Sequence, residues 1–165
     1  MFDPPGEYCP LASAAPTACP QGYYCAYASA VPEPCPLGTY GNRTELRRVE
    51  ECTACDPGQY CDGLGLVEPR GPCDPGFYCE RAAYRSNPSG LASGDLCPAG
   101  SYCPIGSSTP TACEPGTFNN FTTRSAAADC APCSAGSYCE GYGNTVPTGL
   151  CLQGHFCSGS ATTPT

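Results

Sequence analysis

Large apolar side chains are scarce in this sequence. Tryptophan is absent, the single methionine is Met1, and Leu, Ile, Val and Phe are thinly spread among Cys and Ala. Ordering the backbone costs roughly 1–2 kcal/mol per residue, and so little apolar surface cannot offset it through a conventional core. Lysine is absent as well: the seven cations are all arginine, and the net charge is −8. That balance excludes the basic patch that nucleic acids require. No apolar run is long enough to insert in a membrane. Met1 leads directly into Asp3-Pro4-Pro5-Gly6, with no hydrophobic leader. The chain is therefore expected to be a mature protein or a segment of a longer one.

What is abundant is cysteine, 17 residues, together with 20 glycines and 20 prolines. This is the composition of a disulfide scaffold, and such scaffolds persist outside the cell or in the secretory lumen. Each crosslink typically stabilises by about 2–4 kcal/mol. Two C-x-x-C pairs, Cys52/Cys55 and Cys130/Cys133, would suit zinc, but the other thirteen cysteines do not follow ligand spacing. No metal site is expected.

The cysteines define a repeat. One set runs Cys19, Cys25, Cys35, Cys52, Cys55, Cys61, Cys73 and Cys79; the second, Cys97, Cys103, Cys113, Cys130, Cys133, Cys139, Cys151 and Cys157, lies 78 residues on without an insertion. Pro32/Pro110, Gly65/Gly143 and Gly71/Gly149 keep the same register. This is a tandem duplication, and it divides the chain into a partial leading unit at 1–18, one eight-cysteine repeat at 19–96 and a second at 97–165.

Inside each repeat recurs a shorter unit, C-x-x-G-x-(Tyr/Phe)-C, as in CPQGYYC at 19–25, CDPGFYC at 73–79 and CPAGSYC at 97–103. In CPLGTY at 35–40 and CEPGTF at 113–118 the closing cysteine is postponed to Cys52 and Cys130. Pro or Asp-Pro before Gly favours a tight turn. The aromatic beside the second cysteine (Tyr24, Tyr60, Tyr78, Tyr102, Tyr138, Phe156) is expected to lie over that turn as a packing residue rather than as a ligand for sugar or protein. The Pro-, Ser- and Thr-containing connectors lack a helical period, so short two-stranded ribbons around the turns should be the main regular structure. Modules this small touch mostly their neighbours. The expected fold is a small disulfide-rich repeat protein, an elongated rod of β-hairpin and turn modules with little helix.

An odd cysteine count leaves at least one without an internal partner. Residues 3–9 read DPPGEYC, with Asp3 where the first cysteine belongs, so Cys9 is the candidate: a free thiol, an inter-chain partner, or a cysteine separated from an upstream mate. Two pairing schemes respect the repeat. In one, each C-x5-C unit closes on itself; in the other, successive units interleave. Both contain Cys19–Cys25, Cys97–Cys103 and the long loops Cys35–Cys52 and Cys113–Cys130.

The run from Cys35 to Cys79, opening with CPLGTY and passing through CTAC, resembles the six-cysteine module of tumour-necrosis-factor-receptor ectodomains, although five residues separate Cys55 from Cys61 and the Cys19/Cys25 unit has no counterpart. CPAGSYC and CPQGYYC match the signature of ephrin-receptor-like cysteine-rich repeats, a likeness that covers nearly the whole chain. Repeats of that type occur in large surface proteins of algae and protists, including mastigoneme-type flagellar fibres. The receptor resemblance implies interleaved pairing, Cys55–Cys73, Cys61–Cys79, Cys133–Cys151 and Cys139–Cys157, and this is the expected scheme.

Two N-x-Thr sequons, at Asn42 and Asn120, are also 78 residues apart. In an oxidised, exported protein they are the candidate N-glycosylation sites. Asn87-Pro88-Ser89 is blocked by its proline. The clusters 107–111 and 158–165 are candidate sites for O-linked sugars. The lone histidine, His155, has no nucleophile context. Glu50, Glu51, Asp62, Asp74, Asp129 and Glu140 match no calcium loop. No catalytic or cofactor-binding residue is expected. The sequence thus predicts a secreted or surface glycoprotein with a structural role in a fibre or appendage, whose partners are copies of itself or adjacent repeats. The alternative is a ligand-binding or adhesion ectodomain of a receptor.

Overall fold

The computed structural model describes residues 5–10, 13 and 15–165. Its chain forms two compact bodies: Met1–Pro72 with Glu80–Ser86, and Cys73–Cys79 with Asn87–Thr165. Both are built from one small module. We number the modules 1 to 9 by their cores, at residues 3–9, 19–25, 35–41, 55–61, 73–79, 97–103, 113–119, 133–139 and 151–157. Asp3, the opening residue of module 1, lies outside the described residues.

A module begins with a β-turn placed by its glycine. In module 2 the Tyr23 N–H donates to the Pro20 carbonyl at 3.3 Å, and Gly22 adopts φ +82°, the type II geometry that disfavours any residue with a Cβ. The same bond closes the turn in module 6, from Ser101 to Pro98, and in module 8, from Ser137 to Ser134. Two residues leave the turn as a short strand ending at the aromatic. That strand pairs with the residues just before the next module's first cysteine: Tyr23–Tyr24 with Glu33–Pro34, Gln59–Tyr60 with Gly71–Pro72, Ser101–Tyr102 with Thr111–Ala112. The ribbons expected from sequence are therefore present, but the C-x-x-G turn precedes the ribbon instead of joining its strands. What joins them is the tail, the stretch after the closing residue. The only helical pieces among the described residues are two 3-10 turns, Val49–Glu51 and Ala127–Asp129.

The tails of modules 2 to 9 each contain a second left-handed residue. It lies three positions after Cys25, Cys79, Cys103 and Cys157 (Ala28, Ala82, Gly106, Ser160), and four after positions 41, 61, 119 and 139 (Glu45, Gly65, Thr123, Gly143), with φ between 59° and 75° throughout. This residue docks the tail on earlier modules. The Glu45 N–H donates to Cys19 O, Gly65 to Cys35, Ala82 to Cys55, Gly106 to Cys73, Thr123 to Cys97, Gly143 to Cys113 and Ser160 to Cys133.

Three further backbone bonds recur at the module junctions inside each body, from module 1 to 4 and from module 5 to 9. Between modules 6 and 7 the Gly100 N–H donates to Asn119 O (2.7 Å), Cys113 to Gly100 O (2.8 Å) and Cys103 to Arg124 O (2.8 Å). Between modules 2 and 3 the counterparts run from Gly22 to Gly41, Cys35 to Gly22 and Cys25 to Leu46, each at 2.8 Å. Within each body this backbone ladder, rather than an apolar core, joins one module to the next.

The eight disulfides correct the expected pairing. Cys19–Cys25, Cys35–Cys52, Cys97–Cys103 and Cys113–Cys130 form as expected. Cys55–Cys73, Cys61–Cys79, Cys133–Cys151 and Cys139–Cys157 do not. Instead Cys55 pairs with Cys61, Cys73 with Cys79, Cys133 with Cys139 and Cys151 with Cys157. The reason is local. The type II turn folds the chain back so that cysteines six positions apart lie 6.0–6.2 Å apart at Cα, within bridging range. Modules 3 and 7 carry Gly41 and Asn119 at the closing position, so Cys35 and Cys113 reach onward to Cys52 and Cys130. Loop-closure entropy makes a six-residue ring worth about 2 kcal/mol and the longer loops about 3 kcal/mol.

The buried residues are dominated by the cystines themselves. A small apolar cluster of Cys35, Leu46 and Cys52, with Tyr24 against it, forms under the first long loop. The two bodies do not follow the 78-residue boundary. Their division falls at module 5, whose core belongs to the second body and whose tail belongs to the first. The duplication boundary at 96/97 lies inside the second body, where modules 5 and 6 are joined by the full set of junction bonds, so it has no structural privilege.

Candidate functional sites on the module tails

Both sequons start directly after a closing position that lacks cysteine. Asn42 follows Gly41, and Asn120 follows Asn119. Asn42, Thr44, Asn120 and Thr122 are all exposed, in the outward loops closed by Cys35–Cys52 and Cys113–Cys130. The loops are held from inside. Gln21 of the preceding module donates through Nε2 to Asn42 O at 3.0 Å. Asn119, only 2% exposed, stands where a sulfur would be: its Nδ2 donates to Ser101 O at 2.9 Å and its Oδ1 accepts the Phe121 N–H at 3.0 Å. Hydrogen bonds to the preceding module and along the chain thus replace the missing short disulfide.

Two of the acidic residues noted in the sequence brace these loops. The Glu51 carboxylate accepts the Arg47 N–H at 2.6 Å, and Asp129 accepts the N–H groups of Ser125 and Ala126 at 3.1 and 3.0 Å. Asp62 pairs with Arg70 at 3.0 Å. Glu50 and Glu140 are exposed, and Asp74 is half-buried. Among the described residues no group of three His, Cys, Asp or Glu side chains could hold a metal ion. The two C-x-x-C pairs are divided among four disulfides.

The two loops differ at two positions with a visible consequence. Leu46, 3% exposed, is replaced by Arg124, which stacks over Phe121 at 4.6 Å and reaches Asp129 at 4.0 Å. Val49 is replaced by Ala127. With less apolar filling, a cavity of about 170 Å³ stands open beside Cys130, lined by Tyr102, Glu114, Thr117 and Ala127. Cys130 is half-buried, whereas Cys52 is 8% exposed.

The conserved-register aromatics Tyr24, Tyr60, Tyr78, Tyr102 and Tyr138 are half-buried strand residues, as their packing role requires. Phe156 departs from this: it is 84% exposed. Tyr24 donates its hydroxyl to Glu33 on the paired strand, which raises its pKa, chiefly through that bond. Asp95, accepting the Gly90 and Leu96 N–H groups at 2.8 Å, is held below the usual aspartate range by them. His155 is exposed in the module 9 turn. Cys9 is half-buried, and its N–H donates to Ser29 O at 3.1 Å.

Sequence reasoning missed the position just before the left-handed tail residue. It is occupied by Tyr27, Leu64, Ile105 and Tyr142 in modules 2, 4, 6 and 8, at 60–73% exposure. Only alignment of the modules with each other, rather than of the 78-residue repeats, brings these residues into one column. Among the described residues no helix is long and apolar enough to cross a membrane. Neither a known family model nor a curated protein matches the chain.

Proposed function

We propose that this chain is a structural extracellular glycoprotein, a repeat segment of a surface fibre, filament or flagellar appendage, glycosylated at Asn42 and Asn120. The observation that carries the reading is the backbone ladder. Within each body the same bonds join module after module without regard to side-chain identity, an arrangement suited to spacing and bearing rather than to chemistry. Sixteen cysteines in eight disulfides are the chemistry of secreted and cell-surface proteins. The paired sequons are exposed, so sugars there coat the long loops without disturbing a junction. The reading assigns the chain no catalytic step and no cofactor, and its partners are copies of itself or neighbouring repeats.

The test is secretion from a eukaryotic host, followed by mass analysis with and without an N-glycosidase, and by negative-stain microscopy and sedimentation. Two N-glycans and concentration-dependent assembly are expected. A chain that stays dispersed as monomers across a wide concentration range overturns the fibre role in favour of a ligand-binding ectodomain.

A further inference from the structure

Four of the seven exposed large apolar residues of the second body lie in modules 6 and 8; Phe121, Leu152 and Phe156 lie in modules 7 and 9. Ile105 and Tyr142, 65% and 73% exposed, each precede the left-handed residue of their tails, and Val146 and Leu150 follow in the module 8 connector at 59% and 78%. In modules 3 and 7 the same position holds the sequon threonines Thr44 and Thr122; in module 5 it holds Arg81 and in module 9 Gly159. Leu11 of module 1 lies outside the described residues.

The packing sorts modules by parity. A Cβ on Gly100 of module 6 would fall 2.3 Å from the carbonyl oxygen of Gly143, in the tail of module 8, and one on Gly116 of module 7 would fall 2.5 Å from that of Ser160, in the tail of module 9. Tails therefore rest on the turn two modules back. Modules 6 and 8 form one string, and glycan-bearing module 7 belongs with 5 and 9. The even string is also nearly free of charge. In a chain of net charge −8, residues 97–112 contain no charged side chain and residues 133–150 contain only Glu140.

We propose that the side of the second body formed by modules 6 and 8 is a docking surface for the same side of a second copy, with the Asn120 glycan outside the contact. This rests on the structural reading above and names the surface it would use. The charge pattern selects the occupant. Two copies of an acidic protein repel across most of their surfaces, and the sugar blocks the odd string. The even string has no sequon and a single charged side chain, Glu140, so Ile105, Tyr142, Val146 and Leu150 can meet their counterparts with little opposing charge. On the odd string the uncharged module 9 lies beyond module 7, with its sequon, Glu114 and Asp129. A self-complementary contact of this kind is isologous and closes as a pair.

Sedimentation equilibrium of the full glycosylated chain tests it, with the intact mass confirming eight disulfides in every variant. The wild type should associate, and more tightly as salt screens the net charge. The double variant Ile105→Asp/Tyr142→Asp should weaken association at least about 100-fold. The milder Ile105→Ser/Tyr142→Ser should weaken it in the same direction, whereas Ala126→Asp, on module 7, should leave it unchanged. If the wild type associates and the aspartate variant does so equally, or if salt dissolves the complex, this surface is wrong and the structural reading stands. A wild type that never associates removes both.

Discussion

At the scale of single residues, the left-handed tail position carries the clearest energetic tension. Ala28, Glu45, Ala82, Thr123 and Ser160 hold φ values of 59° to 66° with a Cβ present, a conformation that costs roughly 1–2 kcal/mol. Glycine at Ala82 relieves that cost but adds about 0.4–1 kcal/mol of unfolded-state freedom. A net stabilisation of about 0.5–1 kcal/mol is expected for Ala82→Gly. The turn glycines have the opposite sensitivity. Gly100→Ala combines φ +81° with a Cβ 2.3 Å from Gly143 O and should cost at least about 2 kcal/mol. Gly136, also left-handed, has nothing within 4 Å of a Cβ, so Gly136→Ala should cost only the strain, about 1 kcal/mol. Guanidinium midpoints of the disulfide-intact proteins would rank the three, and equal losses for Gly100→Ala and Gly136→Ala would contradict the packing of tails on turns.

At the scale of elements, the two long loops are a natural comparison, one apolar inside and one polar. Leu46 is buried against Tyr24 and the Cys35–Cys52 bridge, so Leu46→Ala should cost about 2–4 kcal/mol. Arg124 contributes through a part-exposed stack and a 4.0 Å ion pair, and Arg124→Ala should cost less than about 1 kcal/mol. Calorimetry or amide exchange at Cys25 and Cys103, whose N–H groups donate to these residues' carbonyls, would read the difference. The turn, the strand after it and the near absence of helix were legible because Pro-x-Gly and an aromatic beside cysteine have few conformational options. The pairing of cysteines was not, because a string of closely spaced thiols is compatible with several rings, and only the folded-back turn selects the short one. Nor was Asn119 legible as a stand-in for sulfur. Its two hydrogen bonds use Ser101 and the chain's own Phe121, and no spacing rule announces them.

At the scale of the whole molecule, the 78-residue duplication was plain in the cysteine numbering, but it is a unit of inheritance rather than of architecture. The module is the architectural unit, and its strand completes only when the residues preceding the next cysteine arrive. That explains why the connectors Thr17–Ala18, Glu33–Pro34 and Thr111–Ala112, unremarkable as sequence, are strands in the structure.

The short rings have a mechanical meaning. Each six-residue disulfide locks its own turn and ties no module to another, so under tension the junction bonds carry the load while the covalent rings stay shut. Drawn from its two ends, the chain should lengthen by discrete yielding of connectors. The advance from Cys103 to Cys113 would release a contour of about 34 Å, and force spectroscopy would resolve that step. Longer steps, spanning two modules, would point to crosslinks between rings. Because no disulfide has to open, each step can be regained on relaxation without redox chemistry, which makes this covalently rigid material an extensible one.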